Sequence, residues 1–118
     1  MEESSIEEAG KSIFVEYFGE YPYIKVLDFL IQGLDFDYSM TEVARGAGVG
    51  WSAFTNVWKK LIDKKIIVST RTIGNAKLFR LNRDNPFVKK LIQFDWDLTR
   101  LEMDKIVDNK VGARRVVQ

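Results

Sequence analysis

Apolar residues recur at three- and four-residue spacing over Tyr23, Ile24, Val26, Leu27, Leu30 and Ile31, a pattern that lines one face of a helix. Pro22 suits the first turn of that helix and Gly33 its end. The preceding run, Ile13 to Phe18, is apolar and aromatic but too short to show a period, and fits either a short strand or a helical turn. Ser39 followed three residues later by Glu42 is a capping box, opening a helix that carries Val43, Ala44 and Ala47 on its apolar side. Gly48 lies where the chain must reverse, and glycine permits the positive φ of a sharp turn between helices. A further helix runs from about Trp51 to Lys64, with Phe54, Val57, Trp58 and Leu61 as its buried stripe.

After Lys65 the period changes. Ile66, Ile67, Val68, Thr70 and Thr72 are β-branched, and Lys77 to Leu81 alternates basic with apolar residues. Between them, Ile73-Gly74-Asn75-Ala76 is a hairpin-type turn. Asn85 and Pro86 then form a helix start, cap followed by first helical position. The last helix carries Phe87, Leu91, Phe94, Leu98 and Leu101 at steps of four, three, four and three, a heptad-like seam widened by Val88, Ile92 and Trp96.

Helix, turn, helix and a two-stranded hairpin, in that order, resemble the winged helix-turn-helix proteins of the archaeal transcription-regulator type. The stretches that carry the likeness are YPYIKVLDFLI, YSMTEVARGAGVGWSAFTNVWKKLIDKKIIV, TRTIGNAKLFRLN and NPFVKKL, spanning Tyr21 to about Lys105. Regulators of the MarR and ArsR kinds share this layout. The resemblance implies a mostly α fold with a small β-hairpin wing and an added C-terminal helix. It places the helix from Trp51 in a DNA major groove and the wing at the backbone or minor groove, and it suggests a homodimer. The expected organisation is an acidic flexible tail over 1–11, a winged helix domain over 12–85, a dimerisation helix over 86–109 and a tail over 110–118.

At 118 residues, 46% apolar and 30% charged, the chain has the size and balance of one globular domain. Cysteine and histidine are both absent, which removes the usual zinc, copper and haem ligands. The metal-sensing members of the ArsR kind use those residues, so no metal and no cofactor is expected here. No apolar run reaches the length of a membrane span, and the acidic N-terminus is unlike a secretory signal, so the expected location is the cytoplasm without membrane contact.

The net charge of +1 hides an asymmetry. Residues 1–50 hold three basic and ten acidic residues, a net −7, whereas residues 51–90 hold ten basic and two acidic, a net +8. The base-rich block coincides with the second helix of the helix-turn-helix and with the wing. A polyanion responds to such local potential within about 10 Å at moderate salt.

The candidate DNA-contacting residues follow from that coincidence. Ser52, Thr55 and Asn56 are short polar residues on the outer face of the reading helix, and Asn56 has the donor and acceptor to pair with adenine. Lys59 and Lys60 follow as phosphate contacts, Arg71 and Lys77 flank the wing turn, and Arg45 ends the preceding helix. Trp51 either stacks at the flank of the site or covers the core beside the turn. The reading helix has no arginine, the commonest reader of guanine, which shifts the expectation toward shape and backbone reading. The dimerisation seam is expected at Phe87, Leu91, Phe94, Leu98 and Leu101.

Asp35, Asp37 and Glu42 are the one tempting carboxylate group, yet no nucleophile or phosphate-binding loop accompanies them, and an enzyme is not expected. Two functions remain: a homodimeric regulator that binds double-stranded DNA, or a winged helix used as a protein-interaction or assembly module. The sequence names no small-molecule effector.

Overall fold

A computed structural model describes the backbone of residues 11–117 and the side chains of residues 11–108. The elements in chain order are α1 (Ile13–Phe18), α2 (Pro22–Gln32), α3 (Met40–Ala47), α4 (Trp51–Asp63), β1 (Ile67–Ile73), β2 (Ala76–Leu81) and α5 (Pro86–Val117). This is the mostly helical fold with a hairpin wing and an added C-terminal helix that the pattern predicts. The ambiguous segment is helical: Ser12 caps α1, its Oγ accepting from the Val15 amide at 3.1 Å. The last helix continues beyond the expected end at 109, into the segment read as a tail. The proposed tail over 1–11 falls outside the described residues, Lys11 excepted.

The core forms where α2, α3 and α4 meet. Val26, Leu27, Leu30 and Ile31 from α2 pack with Val43, Ala44 and Ala47 from α3 and with Phe54, Val57, Trp58 and Leu61 from α4. Leu81 from β2 and Val88 from α5 close it, at 1% and 0% exposed. The α3–α4 turn is built as its residues require. Ser39 and Glu42 form the reciprocal capping box, with the Glu42 amide donating to Ser39 Oγ at 3.2 Å and the Ser39 amide donating to Glu42 Oε1 at 2.9 Å. Gly48 ends α3 in the left-handed conformation, φ 69°, and its amide donates back to the carbonyls of Ala44 and Arg45.

A close approach fixes one more position. A Cβ on Gly46 would lie 2.6 Å from ring atoms of Phe29, so a side chain at that site would force the ring or the α2–α3 packing to shift. Alanine favours helix by almost 1 kcal/mol over glycine. Here the clash should win: Gly46→Ala is expected to destabilise the fold by about 1–3 kcal/mol, read as a lowered denaturation midpoint. A rise in the midpoint would show that Phe29 yields freely.

The wing is an antiparallel pair, Ile67 opposite Leu81 through Ile73 opposite Ala76. Gly74 takes φ 60° at the first turn position while Asn75 does not take a positive φ, the pattern of a type II′ turn. The register slips between Ser69 and Arg71, leaving Thr70 as an extra residue, a β-bulge. On the other side of β2, Tyr38 and Phe79 exchange both backbone hydrogen bonds at 2.8 Å, so the segment before α3 adds a one-residue bridge to the sheet.

Candidate nucleic-acid interface

Helix α4 buries Phe54, Val57, Trp58 and Leu61 at 0%, 7%, 2% and 0% exposure, and this inward stripe fixes what faces out. Ser52, Asn56, Lys59 and Asp63, spaced by four, three and four residues, form one solvent-facing stripe, with Ala53 and Lys60 along its edge. Ser52, Asn56, Lys59 and Lys60 are thus all exposed on the face expected to read DNA. Thr55 is half-buried at the margin, and its hydroxyl donates to the Ser52 carbonyl at 2.9 Å, so its one donor is already used inside the helix.

Trp51 lies over the core beside the turn and keeps part of its ring open to solvent. One ring face stacks on Phe54, centroids 5.4 Å apart, and the side chain remains 53% exposed. Phe54 stacks in turn on Trp58 at 5.1 Å, and Trp58 meets Phe79 edge-on at 5.3 Å. This file of four rings joins the start of α4 to the wing strand. The Trp58 indole N–H finds no acceptor among the described residues.

The wing cations differ from one another. Lys77 is exposed opposite Thr72 near the turn and enters no ion pair among the described residues. Arg71 instead reaches back to Asp37, its Nε donating to Oδ2 at 2.9 Å and an Nη to Oδ1 at 3.2 Å. Thr70 donates to the same carboxylate at 2.6 Å. The bulge turns both side chains to this use, which the sequence does not disclose because the partners lie more than thirty residues apart. Arg83 similarly binds Asp35 at 2.9 Å and the Leu34 carbonyl at 3.0 Å. Of the ten bases between 51 and 90, Arg71 and Arg83 are matched by acids among the described residues. Lys59, Lys60, Lys64, Lys65, Lys77, Arg80, Lys89 and Lys90 are exposed and enter none of the ion pairs among those residues. Arg80, on β2, is a candidate the sequence reading passed over, although strand alternation places it opposite the buried Leu81. Arg45 is exposed on the last turn of α3, near enough to Glu42 to help lower that carboxyl, after the Ser39 hydrogen bonds.

The guanidinium and hydroxyl beside Asp37 hold its carboxyl down to about 2. A depressed carboxylate stabilises the fold fully above its ordinary value, and that stability is lost as pH falls through about 2. Asp37→Asn should therefore speed hydrogen exchange at the wing amides at neutral pH, and its difference from the parent should vanish as the pH approaches 2. Equal exchange at pH 7 would mean that the clamp does not hold the wing.

The seam on α5 is divided. Leu98 is 5% exposed against its own domain and Leu91 packs partly buried on the core. Phe87, Phe94 and Leu101, at steps of seven, remain 49%, 44% and 58% exposed. Phe18 of α1 covers part of Phe94, centroids 5.9 Å apart. Farther along, Met103, Ile106 and Val107 are exposed as well. Tyr17 donates to Glu102, and Lys105 donates to Glu102 Oε1 and Tyr17 Oη at 3.2 Å, which ties α1 to the middle of α5.

Among the described residues no group of three or more carboxylates could hold a metal ion, and no helix is long and apolar enough to cross a membrane.

The arrangement of α2, the α3–α4 unit and the hairpin is a winged helix-turn-helix. Among solved structures, an apo variant of ZitR from Lactococcus lactis aligns with 87% of this chain and 80% of its own, at 18% identity and TM-score 0.56. The adhesin competence repressor AdcR of Streptococcus pyogenes aligns with 79% of this chain and 75% of its own, at 13% identity and TM-score 0.52. Wild-type ZitR in complex with DNA aligns with 79% of this chain and 66% of its own, at 18% identity and TM-score 0.51. No family model and no curated protein matches the chain.

Proposed function

We propose that this protein is a DNA-binding transcription regulator that works as a homodimer. The observation that carries the reading is the outward stripe of α4, where Ser52, Asn56, Lys59 and Lys60 stand exposed in the base-rich part of the chain. The fold shared with ZitR, solved bound to DNA, supports it. In this reading α4 enters the major groove, Asn56 and Ser52 meet base edges, and Lys59, Lys60, Lys77 and Arg80 meet phosphates. Trp51 offers its free ring face at the flank, and Arg45 a further phosphate contact. Arg71 contributes by holding the wing rather than by reaching outward.

Phe87, Phe94 and Leu101 form the proposed dimer seam, extended by the exposed Met103, Ile106 and Val107. A two-fold dimer would favour a palindromic site with half-sites about 34 Å apart, or a multiple of that. The cell compartment proposed is the cytoplasm.

A gel-shift series over increasing salt tests the reading. Affinity for duplex DNA should fall with a slope near −0.9 for each phosphate neutralised. Asn56→Ala should change the preference among duplexes and leave that slope in place. Light scattering should give twice the monomer mass, and Leu101→Asp should halve it. Absence of duplex binding at low salt would instead favour a protein-interaction module. The exposed Trp51 and Ile62 on the arginine-free α4 would suit that role.

A further inference from the structure

A cleft of about 310 Å³ opens between α5 and the segment that follows α2, and Phe36, Trp96, Asp35, Asp95, Ile31 and Ile92 are among its lining residues. Phe36 and Trp96 are 67% and 63% exposed, large aromatic areas left in water beside one another's cleft. Every ionisable side chain lining it is an acid, and no lysine or arginine joins them. Asp35 is matched by Arg83 at 2.9 Å. Asp95 enters none of the ion pairs among the described residues. Burial, and then the nearby Asp28 carboxylate, push the Asp95 carboxyl up from its ordinary value.

Aromatic faces carry partial negative charge and attract cations, most strongly at tryptophan. An unmatched carboxylate attracts the same ligand. A metal ion would need several oxygen donors, and among the described residues no cluster supplies them. An anion would find one base nearby, Arg83, whose guanidinium is already held by Asp35 at 2.9 Å and by the Leu34 carbonyl at 3.0 Å. We propose that this cleft is a binding site for a small organic monocation, an ammonium group bearing an alkyl or aryl substituent, held between Phe36 and Trp96 with Asp95 as its counter-ion. The volume sits at the small end of ligand pockets and suits a ligand of about one ring. Phe36 stands between Asp35 and Asp37, whose carboxylates bind Arg83 and Arg71, so a ligand against Phe36 rests on the segment that ties down the wing. The proposal stands apart from DNA binding.

Calorimetric titration of the full chain with benzyltrimethylammonium, in the absence of DNA, tests it. Saturable binding is expected, with benzenesulfonate giving none and benzyl alcohol binding about tenfold more weakly or worse. Asp95→Asn, which keeps the shape of the side chain, should weaken the ammonium about tenfold, and Phe36→Leu about fivefold. Equal binding of the three probes, or unchanged affinity in Asp95→Asn, would overturn the site. So would conversion of a dimer to monomer by Trp96→Ala in light scattering, because the cleft would then belong to contact with a second copy.

Discussion

Phe54→Ala is expected to cost about 3–5 kcal/mol of folding stability, the loss typical of a fully enclosed aromatic ring. Domains of this kind hold only about 5–15 kcal/mol in total. The variant should therefore lose a large share of its stability, with its denaturant midpoint far below that of the parent. The reason is position: Phe54 is 0% exposed and lies between Trp51 and Trp58 in the file of rings. Trp58→Phe is the informative companion. It keeps an aromatic ring in the file and removes an indole N–H that has no acceptor among the described residues, a burden of about 1–3 kcal/mol when buried. It should cost less than half as much as Phe54→Ala. Similar losses for the two variants would mean that the Trp58 N–H is not a burden and that its removal is felt as a lost interaction.

The second large effect concerns DNA. Under the proposed function, replacing both Lys59 and Lys60 with alanine should lower the salt slope by about two for each subunit on the duplex. At 0.15 M salt that corresponds to roughly 30-fold weaker binding for one subunit and on the order of a thousandfold for two. The loss should be the same on all duplex sequences, because phosphate contacts carry no sequence information. Stability should hardly change, since both side chains are exposed and unpaired among the described residues. Lys105→Ala serves as the control: that lysine is tied to Glu102 and Tyr17, and its removal should leave the slope alone. A parent-like slope in the double variant would put the DNA surface elsewhere.

Local chemistry was readable in the chain where a familiar pattern of neighbouring residues announced it. The capping box at Ser39 and Glu42, the left-handed Gly48, the glycine turn of the wing and the Asn85–Pro86 helix start each depend on neighbours within four residues. The inward stripe of α4 was legible for the same reason, and with it the outward one. Other features were hidden, some because the segment is short and some because the partners are distant in sequence. Six residues from Ile13 to Phe18 are too few to display a period, and Ser12 decides the matter by capping a helix. A heptad spacing cannot distinguish a helix's own domain from a partner: Leu98 turns to the former, while Phe94 and Leu101 remain open. The charge of Arg71 was plain, but its engagement with Asp37 arises from a bulge and a loop distant in sequence. The back-bond of the Thr55 hydroxyl to the Ser52 carbonyl is likewise not displayed by composition.

The extra residue at Thr70 has one more consequence. Tyr38 occupies the far margin of β2, but the outer margin of β1 has no strand beside it among the described residues. Open margins of this kind invite a foreign chain to add itself and propagate into aggregates. A strand kinked in the middle, with a cation directly after the kink, offers no regular run of amides for an intruder to copy. The extra residue thereby works against edge-to-edge pairing of one hairpin with another.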